Sequence, residues 1–136
     1  MFMTGEYPRL VVAALRGGAG KTVLSMGLIT AWRKKGLKVV PFKKGPDYID
    51  AGWLALAAGR PCYNLDTFLM EKARVIQSFT ERAGSEQIAL VEGNRGVFDG
   101  VDLEGEHSTA ELAKLLNSPV LLIVDCSLVT RTAAAM

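Results

Sequence analysis

A glycine-rich segment that ends in lysine and threonine has the clearest chemical capacity in this chain. It reads Arg-Gly-Gly-Ala-Gly-Lys-Thr from Arg16 to Thr22 and directly follows the apolar run Leu10–Leu15. Glycines let consecutive backbone N–H groups converge on an anion, because a side chain would block both the left-handed geometry and the close approach. The lysine can contact the β- and γ-phosphates of a nucleotide, and the threonine hydroxyl can ligate Mg²⁺. This segment, Arg16–Thr22, is called the phosphate loop below, and it predicts a binding site for a nucleoside triphosphate.

The flanking residues favour this interpretation over an ordinary glycine-rich turn. An apolar strand precedes the segment, and the helix predicted to follow it offers its positive end to an anion. Leu15 stands where the strict spacing of the motif has its first glycine. The predicted nucleotide-binding residues are Arg16, Gly17, Gly18, Ala19, Gly20, Lys21 and Thr22.

A second polar segment follows the apolar run Leu37–Phe42, where a Gly-Pro turn separates two lysines from two carboxylates. Lys43 can neutralise charge on a phosphoryl group in transfer, and Asp47 or Asp50 can hold Mg²⁺ or orient a nucleophile. The alternative is a solvated loop in which Asp50 caps a helix beginning at Ala51. We expect this strand to lie next to the strand of the phosphate loop, and that position favours the functional interpretation.

A third polar segment begins with Glu92, which ends the apolar run Ile88–Val91, and continues as the loop Asn94–Gly100. A carboxylate at the end of a buried strand is costly unless it meets a cation or a metal. Glu92 is therefore the preferred second carboxylate of a Mg²⁺ site, and Asp125, after a fourth apolar run, is the other candidate. Three glycines within eight residues predict a backbone that approaches a ligand, with a plain glycine-rich loop as the alternative.

The elements that must position these segments alternate between strand and helix, and Ser108 is a plausible N-cap for one of the helices. This alternation predicts an α/β fold of the P-loop NTPase type, with a doubly wound, mainly parallel sheet in a Rossmann-like three-layer arrangement. Ligands bind at the carboxyl ends of the strands in such sheets, where all three polar segments lie. The predicted strands are Leu10–Leu15, Leu37–Phe42, Ile88–Val91 and Val120–Val124, and the predicted helices cover residues 21–35, 51–58, 70–83, 108–116 and 129–136.

Composition limits the partners and the compartment that we expect. The 136 residues are 49% hydrophobic with a formal net charge of +2, which indicates one globular domain and gives no reason to expect nucleic acid as a partner. No run approaches the length of a membrane span, and the N-terminus lacks the pattern of a signal peptide. Cys62, Cys126 and the single His107 form no soft-metal motif. These features predict a cytoplasmic protein without a membrane partner.

Four groups of residues, in order along the chain, together resemble the cobyrinic acid a,c-diamide synthase family. This family shares a branch of P-loop proteins with dethiobiotin synthetase and the partitioning ATPases. The resemblance extends from the phosphate loop nearly to Met136. The segments that carry it are Phe42-Lys43-x-Gly-Pro-Asp-Tyr-Ile-Asp50, Gly59-Arg60-Pro61 with Asn64-Leu65-Asp66, Glu92-Gly93 with Gly96-x-Phe98-Asp99-Gly100, and Ser108-Thr109-Ala110 with Ala113-Lys114-Leu115-Leu116.

The resemblance implies amidation of the a and c side-chain carboxylates of a corrinoid in cobalamin biosynthesis. The implied reaction uses ATP and Mg²⁺, passes through an acyl phosphate, and takes its nitrogen from glutamine or ammonia. By the same resemblance, the catalytic residues are Lys21, Lys43, Asp47 and Asp50, the metal ligands are Thr22, Asp47 and Glu92, and the corrinoid-binding residues are Asp50, Gly96, Asp99 and Gly100.

One departure from the family shapes the remaining expectations. The family continues into a C-terminal glutaminase domain with a nucleophilic cysteine, and neither Cys62 nor Cys126 lies in such a context. We therefore expect residues 1–136 to be the N-terminal part of a truncated synthetase domain, with the glutaminase domain as its partner in a full-length protein. The last helix, cut by the chain end, predicts exposed apolar surface and a homodimer as one outcome.

Two other functions stay open. One keeps the amidation chemistry and changes the acceptor to a nickel-tetrapyrrole precursor. The other is a partitioning-type nucleotide switch, in which the basic residue Arg16 before the glycines has a counterpart. Lys-Gly-Pro-Asp after the second strand, in place of an Asp-rich switch, favours the amidoligase.

Overall fold

The sheet of this protein is parallel throughout and has helices on both faces. The structure, a computed structural model, describes residues 6–136. Five strands in that range pair in the order β3-β2-β4-β1-β5, and every pairing is parallel. The predicted doubly wound α/β class is therefore confirmed. The strands are β1 (Arg9–Ala14), β2 (Lys38–Lys44), β3 (Tyr63–Leu65), β4 (Gln87–Glu92) and β5 (Val120–Ile123), and the helices are α1 (Lys21–Lys34), α2 (Ile49–Ala58), α3 (Lys72–Thr80), α4 (Thr109–Leu115) and α5 (Thr132–Ala135).

The order of the strands corrects one prediction. Strand β2 does not lie beside β1, because β4 lies between them. Glu92 at the end of β4 is in register with Val12 of β1 on one side and with Lys43 of β2 on the other. The connection through α1 thus passes over one strand position, which β4 later fills. As a result, Glu92 lies between the phosphate loop and Lys43.

The core has two parts, one on each face of the sheet, because successive side chains of a strand point to opposite faces. Val39 and Leu90 pack with Ile29 of α1 and Leu54 of α2. The other part contains neighbouring residues of the same strands and side chains of α3 and α4; its members include Val40, Phe42, Val91, Val75, Phe79 and Leu112. The same alternation directs Lys43 and Glu92 toward the α1 and α2 face and Lys44 toward the opposite face.

Strand β5, at one edge of the sheet, is poorly covered. Val120, Leu121 and Leu122 are 42%, 37% and 43% exposed, whereas strands of parallel sheets are usually buried on both faces. Leu128 and Met136 are also exposed, so apolar surface is present near the predicted last helix. Helix α5 is shorter than predicted and covers only Thr132–Ala135.

No helix between residues 6 and 136 has the length and apolar character that crossing a bilayer requires. The expectation that the N-terminus lacks a signal peptide concerns, in part, residues outside the described range.

Candidate functional site

The phosphate loop joins the end of β1 to the start of α1 and depends on glycine at two left-handed positions. Gly18 has φ 69° and Gly20, the N-cap of α1, has φ 88°. Side chains other than glycine rarely adopt this conformation without strain. No side chain among residues 6–136 caps α1, and its first turn contains no acidic residue. The first N–H groups of the helix are therefore available to an anion, as the sequence predicts.

Lys21 folds back over the phosphate loop. Its ammonium group donates to the carbonyl of Arg16 at 3.2 Å and to the carbonyl of Arg95 at 2.7 Å. Burial, followed by the nearby charge of Lys43, lowers the pKa of Lys21. An anion in the loop would favour the charged form of the lysine. The site is thus electrostatically suited to bind phosphate groups.

Arg95 is a contact that sequence reasoning missed. It lies in the loop after β4 and holds φ 47°, a left-handed conformation uncommon for a residue with a side chain. This backbone geometry presents its carbonyl to Lys21. The sequence carries no local signal for a left-handed arginine, so only the fold reveals that this loop contacts the phosphate loop.

A fully buried ion pair joins the ends of β2 and β4 to the phosphate loop. Glu92 is 0% exposed and Lys43 is 1% exposed. Glu92 Oε1 accepts from Lys43 Nζ at 2.9 Å and from the hydroxyl of Thr22 at 3.0 Å. Lys43 Nζ also donates to the carbonyl of Gly93 at 2.9 Å and lies 3.3 Å from Asp50 Oδ2. Predicted residues from all three polar segments therefore meet at one point.

The donor set at this point fits Mg²⁺. The second oxygen of Glu92, Oε2, is buried and has no hydrogen-bond partner within the described residues. Adjacent oxygens around an octahedral Mg²⁺ are about 2.9 Å apart, close to the 3.0 Å between Thr22 Oγ1 and Glu92 Oε1. Residues 6–136 contain no group of three His, Cys, Asp or Glu side chains that could hold a metal. Mg²⁺ needs no such group, since it usually takes one or two protein ligands together with phosphate and water.

Asp47, and not Asp50, contacts the first turn of α2. Asp47 Oδ1 accepts from the backbone N–H groups of Ile49 and Asp50 at 2.9 and 3.1 Å, so Asp47 satisfies the first turn of α2. The alternative in which Asp50 caps a helix from Ala51 is therefore wrong, since α2 begins at Ile49. Asp50 instead pairs with Lys43. The predicted roles of Asp47 in metal binding and of Asp50 in catalysis and substrate binding remain predictions.

Asp125, the other candidate for the metal carboxylate, is engaged elsewhere. Its carboxylate pairs with Arg16 and accepts from the backbone N–H of Ser127 at 2.9 Å. Hydrogen bonds from Ser127 and Arg16 hold the pKa of Asp125 well below its usual range. The structure therefore places Glu92, and not Asp125, beside Thr22.

The glycines of the loop after β4 are explained by the protein's own packing. A Cβ on Gly96 would lie 2.7 Å from the carbonyl oxygen of Leu15, and one on Gly100 would lie 2.1 Å from that of Glu106. Asp99 Oδ2 accepts from the N–H of Gly96 at 2.8 Å and so closes the same turn. The backbone of this loop is therefore closely approached, as predicted, but the atoms that approach it belong to the protein itself. Substrate binding by Gly96, Asp99 and Gly100 remains a prediction.

Gly100→Ala is expected to lower the free energy of unfolding by about 1–3 kcal/mol, because the added methyl group must displace backbone. Gly52→Ala is the matched control, since nothing lies within 4 Å of a Cβ at that exposed helical position. The control should be neutral or stabilise by up to about 1 kcal/mol through helix propensity. Urea unfolding of the two variants gives the comparison. Equal free energies of unfolding for the two variants would show that the backbone around Glu106 moves to accommodate the methyl group without loss of stability.

Cys62 lacks the environment of an activated thiol. Burial raises the pKa of Cys62 to about 12, so this thiol stays protonated near neutral pH. Cys126 is exposed.

Comparison with known proteins agrees with this geometry. Residues 10–135 match a family described as the CobQ/CobB/MinD/ParA nucleotide binding domain. The chain belongs to this family. A protein of Magnetococcus marinus called cobyrinate a,c-diamide synthase is 52% identical over 134 residues, which are 98% of this chain and 29% of the relative. A Streptomyces coelicolor protein called hydrogenobyrinate a,c-diamide synthase is 49% identical, over 95% of this chain and 27% of its own length.

The resemblance predicted from the motifs is confirmed by these relatives of the nucleotide-binding domain. A more distant one, the cobyrinate a,c-diamide synthase of Archaeoglobus fulgidus, is still 37% identical over 96% of this chain. The chain spans about 29% of the length of these relatives. Chloroplast FtsY from Physcomitrella patens has a similar structure, with a TM-score of 0.54 over 90% of this chain and 42% of its own. At 19% identity, that similarity concerns the fold alone.

Proposed function

We propose that this domain is the ATP-binding synthetase part of an enzyme that amidates the a and c carboxylates of cobyrinate or hydrogenobyrinate. The observation that carries the proposal is the buried cluster of Lys43, Glu92 and Thr22 at the phosphate loop. It lies in a nucleotide-binding domain whose relatives, 37% to 52% identical, are named as a,c-diamide synthases. In the longer protein, glutamine would supply nitrogen through a glutaminase domain, and free ammonia would serve the chain alone.

The chemistry requires an activated acyl group, because a carboxylate would have to expel oxide. A carboxylate oxygen of the acceptor attacks the γ-phosphorus of ATP, the bond to the β,γ-bridging oxygen breaks, and ADP leaves. Ammonia then attacks the carbonyl carbon of the acyl phosphate, inorganic phosphate leaves, and the nitrogen loses a proton. The protein's contribution is largely the positioning of two anions and the stabilisation of charge on the phosphoryl group.

The residues at the site divide this work. Lys21 exchanges its carbonyl partners for ATP phosphates, and the first turn of α1 directs its N–H groups at the same oxygens. Thr22 and Glu92 are the residues that would hold Mg²⁺. Mg²⁺ held there would supply positive charge that offsets the charge of the phosphate groups.

Lys43 provides a fixed positive charge between the ends of β2 and β4. Its contacts with Glu92, Asp50 and the Gly93 carbonyl hold the ammonium group in one position. A preorganised cation of this kind stabilises developing charge without reorganising during the reaction. Asp50 links this ammonium group to the start of α2.

Isotope transfer tests the proposal directly. The chain is incubated with Mg²⁺, ATP, ammonium chloride and cobyrinate whose carboxylates carry ¹⁸O. Each amide formed should deliver one ¹⁸O atom to inorganic phosphate, because the phosphate that ammonia displaces from the acyl phosphate carries a former carboxylate oxygen. Hydroxylamine in place of ammonia should yield the hydroxamate of the corrinoid. The Lys21→Ala chain is the control and should form neither product.

The same experiment separates the alternatives. A partitioning-type switch would hydrolyse ATP whether or not a corrinoid is present, and its phosphate would take oxygen from water. A nickel-tetrapyrrole carboxylate that is amidated in place of cobyrinate would change the acceptor and keep the chemistry. ATP hydrolysis that is independent of the acceptor, without label transfer, would contradict the amidoligase proposal.

A further inference from the structure

A cleft of about 310 Å³ adjoins the phosphate site and is not used by the mechanism above. It lies between the ends of β2, β3 and β4, and its lining includes Lys44, Asp66, Arg95, Asp99 and His107. Lys44 follows Lys43 directly in β2, so alternation sends the two side chains to opposite faces of the sheet. Lys43 meets Glu92 on one face, and Lys44 meets the cleft on the other.

The two cations of this cleft form no close ion pair in the described part of the chain, although the charge of Asp66 acts on Lys44. Neither Lys44 nor Arg95 forms an ion pair within 4.0 Å among residues 6–136. The carboxylates of the cleft are occupied by backbone: Asp66 Oδ1 accepts from the N–H groups of Phe68 and Leu69 at 2.8 and 3.3 Å, and Asp99 accepts from Gly96. The lining is formally neutral, yet its cations are the unpaired groups. Burial lowers the pKa of Lys44; the charge of Asp66 opposes this shift, and the charges of Lys43 and Arg95 add to it. An anion in the cleft would favour the charged form of Lys44.

Arg95 connects the cleft to the phosphate loop. Its carbonyl accepts from Lys21 at 2.7 Å, while the residue itself lines the cleft. A ligand in the cleft is therefore separated from the lysine of the phosphate loop by a single residue. An acceptor for the γ-phosphoryl group must lie close to that lysine.

The shape and rim of the cleft indicate which class of ligand it can bind. Its volume is at the lower end of the range for small-molecule sites, so it accommodates a side chain of a large ligand better than the whole ligand. Phe68 and Leu69 on its rim are 65% and 64% exposed. An apolar rim beside two cations that form no close ion pair suits a ligand with an apolar body that carries carboxylate side chains.

We propose that this cleft binds a side-chain carboxylate of the corrinoid acceptor, with Lys44 and Arg95 as its counter-charges and the Phe68–Leu69 rim against the macrocycle. The assignment rests on the proposed function and adds the residues that select an acid over its amide. It makes Lys44 and Arg95 specificity-determining residues of the acceptor site.

Equilibrium dialysis of cobyrinate against the chain, followed by visible absorbance, tests the assignment. Lys44→Gln and Arg95→Gln are each expected to weaken binding about 10-fold, and the double variant about 100-fold, because each removes one charge-assisted contact. Lys38→Gln, on the same strand at its opposite end, and Arg131→Gln are exposed controls expected to bind like wild type. Urea unfolding verifies that every variant is folded.

A corrinoid with all its side-chain carboxylates amidated provides the second probe. Wild type should prefer cobyrinate to this neutral probe, and the double variant should lose the preference. Wild-type affinity in both single variants would overturn the assignment and leave the proposed function intact, as would equal affinity of wild type for the two probes. If the wild-type chain binds neither probe, the proposal that the acceptor is a corrinoid and the assignment of the cleft are both contradicted.

Discussion

Lys43→Met should lower the free energy of unfolding by about 3–5 kcal/mol, the loss typical when one partner of a buried ion pair is removed. Lys43 and Glu92 are both almost completely buried. Without Lys43, the Glu92 carboxylate keeps only the hydroxyl of Thr22 as a partner at Oε1, and Oε2 has none within the described residues. Stability of a domain is only about 5–15 kcal/mol, so this is a large fraction of the total.

The double variant Lys43→Met/Glu92→Gln separates loss of charge balance from loss of packing. An amide at residue 92 can still accept from Thr22 and carries no charge to bury. We expect the double variant to recover about 2 kcal/mol or more of the stability lost in Lys43→Met, because it no longer buries an unpaired charge. Lys38→Met changes the same residue type at the exposed start of β2 and should stay within about 0.5 kcal/mol of wild type.

Urea unfolding of the nucleotide-free chain measures all four proteins. A loss below about 1 kcal/mol in Lys43→Met would contradict a buried ion pair between Lys43 and Glu92 in the folded chain. The ion pair would then not exist before nucleotide binds, and Lys43 would have to acquire its position during the reaction.

The phosphate loop and Glu92 could be predicted from the sequence because both depend on local chemistry. A cluster of glycines directly before Lys21 is typical of a phosphate-binding loop, and in the structure Gly18 and Gly20 have left-handed conformations. Glu92 was singled out because a carboxylate ending a buried strand needs a cation or metal. The structure supplies that cation in Lys43. Ser108 likewise caps α4, accepting from the N–H of Glu111 at 3.3 Å.

The order of the strands could not be predicted in the same way. The apolar runs of β1, β2 and β4 are alike in composition, so nothing local states which of them is central. The prediction that β2 neighbours β1 was wrong because the α1 connection passes over the position of β4. Strand β3 was missed since Tyr63–Leu65 is too short to show a period of two.

Two residues near the site, Arg95 and Lys44, were not identified from the sequence. Arg95 contacts Lys21 through its backbone carbonyl, and Lys44 lies on the opposite face of the sheet from Lys43. Arg95 presents a carbonyl, and any residue has one, so its side-chain type gave no signal. Lys44 adjoins Lys43 in sequence, but only the paired strand shows that the two project into different sites. Asp47 and Asp50 were both recognised as site carboxylates, while the start of α2 decided which one caps the helix.

Lys21→Ala is expected to weaken the binding of Mg²⁺–ATP by about 100-fold or more, equivalent to roughly 2.8 kcal/mol. A lysine contact with phosphate is a charge-assisted hydrogen bond, worth about 1.5–3 kcal/mol where water is excluded. Lys21 is largely buried and lies beside the uncapped start of α1, so no neighbouring residue of that helix replaces it. Calorimetric titration gives the two dissociation constants, and Lys34→Ala, at the exposed end of α1, is the matched control with wild-type affinity.

Loss of binding in Lys21→Ala has to be distinguished from loss of fold. Within residues 6–136 the ammonium group of Lys21 hydrogen-bonds only to the carbonyls of Arg16 and Arg95, so the free energy of unfolding of the variant should lie within about 1 kcal/mol of wild type. A second readout follows from the Arg95 contact: nucleotide draws Lys21 away from that carbonyl, and the amide ¹⁵N signal of Gly96 should shift in wild type. An unchanged Gly96 signal in a chain that binds ATP would show that Lys21 keeps its contact with Arg95. Affinity in Lys21→Ala equal to wild type would place the triphosphate outside the loop, and the amidation mechanism would lose its phosphoryl donor site.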